Sequence, residues 1–120
     1  MDQLHPELEA GYTKIDNWLL GVTSQCHFTA AELRVLLVIF RKTYGWQKEE
    51  AFISYGLLSL LTKIDERYVK KIIKGLIQKR VLSKRIHKGR NVFSLNNNYK
   101  DWVLWISERP ALPEDTPLGV

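Results

Sequence analysis

Residues 54–79 read SYGLLSLLTKIDERYVKKIIKGLIQK, and residues 81–95 read VLSKRIHKGRNVFSL. Two helix starts are written into the first stretch. Ser54 stands where an N-cap side chain accepts from the backbone, with Ile53 and Leu58 at the spacing of a hydrophobic staple. Asp65 repeats the arrangement, with Ile64 and Val69 as its staple. These signals predict a short helix over residues 55–61 and a longer one over 66–79, joined by the turn Lys63-Ile64-Asp65. A turn of about three residues lets two helices cross steeply, as in a helix-turn-helix.

The longer helix is strongly two-sided. At about 100° per residue, Val69, Ile72, Ile73, Leu76 and Ile77 gather on one side and must face a core. Arg67, Lys71, Lys74 and Gln78 lie opposite, with Tyr68 and Lys70 on the flanks. The second stretch changes period. Alternation of Leu82, Lys84 and Ile86 predicts a strand over 81–87. Lys88-Gly89-Arg90-Asn91 reads as a turn, and residues 92–95 as the return strand. Ala51-Phe52-Ile53, just ahead of Ser54, reads as one more short strand.

Working outward, Phe28-Thr29-Ala30-Ala31-Glu32-Leu33 is a capping box inside a staple: Thr29 is the cap, Glu32 its reciprocal partner, and Phe28 and Leu33 the apolar pair. It starts a helix over 30–43, with Gly45 as the stop. Leu33, Leu36, Leu37, Phe40 and Tyr44 make one apolar face and Val35, Val38 and Ile39 another, so this helix should be packed on two sides at the centre of the domain. Asp16 reads as the cap of an earlier helix, with Ile15 and Leu20 as staple, and Asn98 as the cap of a last helix over 99–107 that carries Trp102 and Trp105. The expected fold is mostly α with a small β-hairpin: a winged helix-turn-helix with extra N- and C-terminal helices over residues 11–107. A flexible N-terminus (1–10) precedes it and a disordered, proline-rich tail (108–120) follows.

Charge follows this layout. The chain of 120 residues carries 18 Lys and Arg against 13 Asp and Glu. Between Lys63 and Arg90 there are eleven basic residues and two acids, Asp65 and Glu66, so the whole positive excess sits in the second helix and the hairpin. That is the footprint of a phosphate-binding surface. In a helix-turn-helix the second helix enters the major groove. The candidate DNA-binding residues are therefore Arg67, Tyr68, Lys70, Lys71, Lys74 and Gln78 from the helix and Lys84, Arg85, His87, Lys88, Arg90 and Asn91 from the hairpin. Arg67, in the first helical turn, has the donors for a bidentate pair with guanine.

Other chemistry is not indicated. The single cysteine, Cys26, forms no disulfide within the chain and argues for a reducing compartment. No Cys/His spacing suits zinc, no Gly-rich phosphate loop or catalytic triad pattern occurs, and no cofactor or enzymatic activity is expected. No apolar run approaches the ~20 residues of a membrane span, and the opening ten residues lack a signal-peptide core, which gives a cytoplasmic expectation.

Gly11-Tyr12-Thr13-Lys14-Ile15, Glu32-Leu33-Arg34-Val35-Leu36-Leu37, Arg41-Lys42-Thr43-Tyr44-Gly45-Trp46, Lys48, Ile53-Ser54 and Asn91-Val92-Phe93-Ser94-Leu95-Asn96 with Tyr99 resemble the N-terminal domain of the lambdoid bacteriophage replication protein O family. The likeness runs from about Gly11 to Trp102. It implies binding to repeated sites at a phage replication origin, usually as a dimer, in the initiation of DNA replication. The two-sided central helix and the Trp102/Trp105 segment offer apolar surface for such a homodimer. In the family a further C-terminal region engages helicase-loading proteins. That region is expected to be absent here, so no helicase-loading partner is assigned. Relatives often carry Gly where this chain has Lys63. The same layout would also serve a transcriptional regulator on an operator, or a protein-binding module such as an inhibitor of a host system.

Overall fold

A computed structural model describes residues 11–103. The elements are α1 (Asn17–Gln25), α2 (Ala30–Thr43), β1 (Glu50–Phe52), α3 (Tyr55–Thr62), α4 (Glu66–Gln78), β2 (Leu82–His87) and β3 (Arg90–Leu95). Short 3-10 turns occupy Tyr44–Trp46 and Tyr99–Asp101. The fold is thus helical with one small antiparallel sheet.

Local capping chemistry starts three of the four helices. At α2 the Thr29 hydroxyl accepts from the Glu32 N–H at 3.1 Å, and the Glu32 carboxylate accepts from the Thr29 N–H at 2.9 Å. Ser54 accepts from the Leu57 N–H, and Asp65 from the Arg67 N–H, both at 3.0 Å. The staple residues Ile53, Leu58, Ile64 and Val69 are all buried. At α1 the expectation fails: Asp16 makes no side-chain cap and instead accepts from Trp18 Nε1 at 3.3 Å. Its staple partner Leu20 is half exposed.

α2 is the spine. Val35, Leu36, Ile39 and Phe40 are buried, and the helix packs against α3, α4, β1 and β3. Leu37, grouped with the apolar face by its spacing, points to solvent. The buried Glu32 does two jobs: besides capping α2, it accepts from Lys79 Nζ at 2.7 Å and so ties the start of α2 to the end of α4. α2 ends at Thr43 as expected, but Gly45 is not what stops it. The 3-10 turn carries the chain on to Gln47, which takes the left-handed conformation at φ 57°. Gly45 serves packing instead, since a Cβ there would meet Thr13 Oγ1 at 3.2 Å.

The α3–α4 turn is closed by Lys63 at φ 63°, ψ 31°, whose N–H donates to the Ser59 carbonyl at 2.9 Å. A side chain in this region crowds its own carbonyl, whereas glycine meets no such penalty. Lys63→Gly is therefore expected to stabilise the domain by about 0.5–1 kcal/mol, after the larger chain entropy of glycine is subtracted. The urea midpoint, with an unchanged m-value, checks this.

The sheet order is β1-β3-β2, fully antiparallel. The short strand expected before Ser54 is β1, and it pairs with β3, so the hairpin is one part of a three-stranded sheet. The hairpin turn is tighter than expected. Only Lys88 (φ 52°) and Gly89 (φ 76°) lie between the strands, both left-handed as a two-residue turn demands, and Arg90 and Asn91 belong to β3.

The predicted C-terminal helix is corrected over its described part. Tyr99–Asp101 forms one 3-10 turn without a side-chain cap, and Trp102 is extended. Trp102 is 2% exposed, donates from Nε1 to the Asn96 carbonyl at 2.9 Å, and meets the Phe28 ring edge-on. It is core and not dimer surface. Trp105, the rest of the predicted helix, residues 1–10 and the tail 108–120 lie outside the described residues.

Candidate nucleic-acid interface

α4 shows the two faces its spacing predicts. Val69, Ile72, Ile73 and Leu76 are buried, while Arg67, Tyr68, Lys70, Lys71, Lys74 and Gln78 are exposed. The Arg67 side chain is 93% exposed, and its Nε lies 3.9 Å from the Asp65 carboxylate that caps the helix. That separation in water leaves the guanidinium able to exchange partners at little cost.

The hairpin divides its cations between two faces. Register pairs Lys84 with Phe93 and Ile86 with Asn91, so these side chains share the inner face. There Lys84 Nζ donates to the Tyr55 hydroxyl at 3.1 Å and lies 5.7 Å from the Tyr55 ring centre. Lys70 Nζ of α4 lies 5.6 Å from the same ring. Tyr55, at the first position of α3, thus draws a helix cation and a strand cation together, and its own ring rests edge-on against buried Phe93. Spacing along the chain carries no sign of this role, because it depends on the hairpin folding back beside α3.

Arg85 and His87 share the opposite face with Arg90, Val92, Phe52 and Glu50. Arg85, grouped with the DNA-binding cations by its position, is held by Glu50 through two hydrogen bonds at 2.6 and 3.1 Å. The guanidinium holds the Glu50 carboxyl below the usual carboxylate range. Arg90 lies over the Phe52 ring at 4.3 Å and His87 sits 6.2 Å from it. Lys88 is at the exposed turn. Asn91 is half-buried within the sheet, and its carbonyl accepts from the Ile53 N–H. Among the eleven cations from Lys63 to Arg90, Lys79 is also engaged, by Glu32. The cations expected to form one phosphate-binding surface therefore divide into a surface of α4 with Lys84 and a second cationic group on the outer side of the sheet.

Elsewhere, burial pushes the Cys26 thiol up, which disfavours the thiolate a nucleophile needs. A cleft of about 1130 Å³ lies at the end of the sheet away from the hairpin turn, lined by Tyr12, Lys14, Asp16, Gln47, Glu50 and Asn97 among others. Its mixed charges set it apart from the cationic surface. Among the described residues no group of three His, Cys, Asp or Glu could hold a metal ion, and no helix is long and apolar enough to cross a membrane.

Fold and surface together define a small helical and antiparallel-sheet protein, compatible with a DNA-binding fold, whose fourth helix presents a cationic face. Residues 5–102 match the family described as bacteriophage replication protein O, and the chain belongs to that family. It is 30% identical over 98 residues to Replication protein O of Escherichia phage lambda, covering 82% of this chain and 28% of that one. It is 30% identical over 96 residues to DNA replication protein gp18 of Salmonella phage P22, covering 80% and 34%, and 20% identical over 98 residues to Replication protein 15 of Enterobacteria phage phi80, covering 82% and 32%. The chain thus spans about a third of the length of these relatives. No solved structure matches it.

Proposed function

We propose that this domain is a winged helix-turn-helix that binds double-stranded DNA sequence-specifically at a phage replication origin, in the initiation of DNA replication and without catalysis of its own. The observation that carries the reading is the exposed face of α4, where Arg67, Lys71, Lys74 and Gln78 stand clear of any core contact and Lys70 converges with Lys84 on Tyr55. The major groove is wide enough for such a helix. Arg67 and Tyr68 in its first turn then meet base edges, while Lys71, Lys74 and Gln78 reach bases or phosphates. β2–β3 is the wing: Lys84 and Lys88 neutralise the adjoining backbone, with His87, Arg90 and Asn91 beside them.

Family membership supports a role in phage DNA replication, and the relatives it matches are named as replication proteins. The host cytoplasm is the place of action on this reading. A homodimer belongs to it as well. With Trp102 buried, the apolar surface that the described part of α2 leaves for it is at Leu37.

The test is selection of bound duplexes from a random pool, followed by footprinting across the neighbouring phage genome. Repeated sites within an origin are expected, with log K falling by about 0.9 per phosphate neutralised for each unit of log salt. A single palindrome over a promoter would point to a regulator. No duplex binding at low salt would contradict the reading.

A further inference from the structure

We propose that the outer face of the sheet is a second nucleic-acid site, a stacking platform centred on Phe52 for unpaired bases of single-stranded DNA. The register places Phe52, Val92, Arg90 and His87 on one face, turned away from the α4–Tyr55–Lys84 surface. Phe52 is 48% exposed on an edge strand, on a floor made by buried Val92. A lone exposed phenylalanine is ordinary on a protein surface, and it is the flat cationic groups around Phe52 that set it apart. Its surroundings say which partner fits. The Arg90 guanidinium lies 4.3 Å from the ring centre and the His87 imidazole 6.2 Å away at a 40° tilt, so three flat groups cluster in one place.

Lys88, one residue past His87, adds charge at the turn. The nearby carboxylate, Glu50, is engaged by Arg85 and so offers little net repulsion to a phosphate. With the Arg90 guanidinium lying over the ring, a base stacks on the flat guanidinium–Phe52 pair or takes the guanidinium's place on the ring, and the cations alongside neutralise the phosphates. A duplex cannot use such a platform, because its base faces are already stacked on one another. The occupant is therefore an unpaired strand, and any base will do, since every base has a π-face. This site shares His87, Lys88 and Arg90 with the wing proposed for duplex DNA, but Phe52 belongs to it alone, so a substitution at Phe52 tells the two apart.

Fluorescence anisotropy with the full chain tests the proposal, using a labelled oligothymidylate of about 12 nucleotides and, in parallel, a selected duplex. Phe52→Leu keeps an apolar side chain and removes the ring. It is expected to weaken oligothymidylate binding by about 5-fold to 100-fold while duplex binding stays within about twofold. Phe52→Trp, which keeps a ring, should bind oligothymidylate at least as tightly as the parent chain. Thermal melting shows that both variants are folded. The proposal is overturned if the parent chain does not bind oligothymidylate at low salt, if Phe52→Leu binds it unchanged, or if the leucine and tryptophan variants lose it equally.

Discussion

The triple variant Arg67→Ala/Lys71→Ala/Lys74→Ala is expected to bind duplex DNA on the order of 10²–10⁴-fold more weakly than the parent chain while melting at nearly the same temperature. The two halves of this expectation have separate causes. Arg67, if it reads a guanine, is worth about 1–3 kcal/mol of affinity and most of the discrimination at that position. Lys71 and Lys74 each neutralise backbone charge, and their loss should also flatten the salt dependence by about 1 unit of slope for each phosphate contact removed. Stability is spared because all three side chains are exposed on α4. Exposed helix positions tolerate alanine to within about 0.5 kcal/mol. Affinity measured at two salt concentrations, beside a melting curve, checks both halves. Unchanged affinity in the triple variant would remove α4 from the interface.

Trp102→Ala acts in the opposite direction. It should cost about 3–5 kcal/mol of stability, the usual range for emptying a large aromatic site in a core. Trp102 is 2% exposed and edge-on to Phe28, and the Asn96 carbonyl loses its indole donor as well. In a domain of about 100 residues that corresponds to a melting temperature lowered by about 15 °C or more. Circular dichroism melting checks it. A loss below about 1 kcal/mol would contradict the packing of the segment after β3.

The exposed cations of α4 and the buried Trp102 differ in how far the sequence reveals them. Whatever depends on neighbours in the chain was legible. Thr29 with Glu32, Ser54 and Asp65 satisfy backbone N–H groups two or three residues away, so α2, α3 and α4 begin where spacing predicts. The faces of α4 follow from helical geometry alone, and Lys63 takes the left-handed conformation that glycine would suit. Asp16 shows the limit of even local signals. A capping residue in the right place was drawn off by the Trp18 indole, and α1 formed without its cap.

Relations across the chain were hidden. Glu32 reads as a cap and nothing more until the fold brings Lys79, 47 residues on, against it. Glu50 counted among the acids outside the basic segment, yet pairing of β1 with β3 sets it beside Arg85 and cancels one of the cations assigned to DNA. Strand alternation predicts that Lys84 and Arg85 face opposite ways. Only the packing of the hairpin beside α3 decides that Lys84 joins Lys70 at Tyr55 while Arg90 and His87 gather round Phe52. Trp102 could have been core or interface on its spacing, and the core claimed it because Phe28 and the Asn96 carbonyl lie within its reach.

The most direct measurement of the central claim is a titration of the isotopically labelled protein with a selected duplex, followed by backbone amide NMR shifts. The largest shifts are expected on Arg67, Tyr68, Lys71, Lys74 and the β2–β3 turn, while α1 and the outer residues of α2 stay still. Shifts centred on Leu37 and α1, with α4 unmoved, would contradict it.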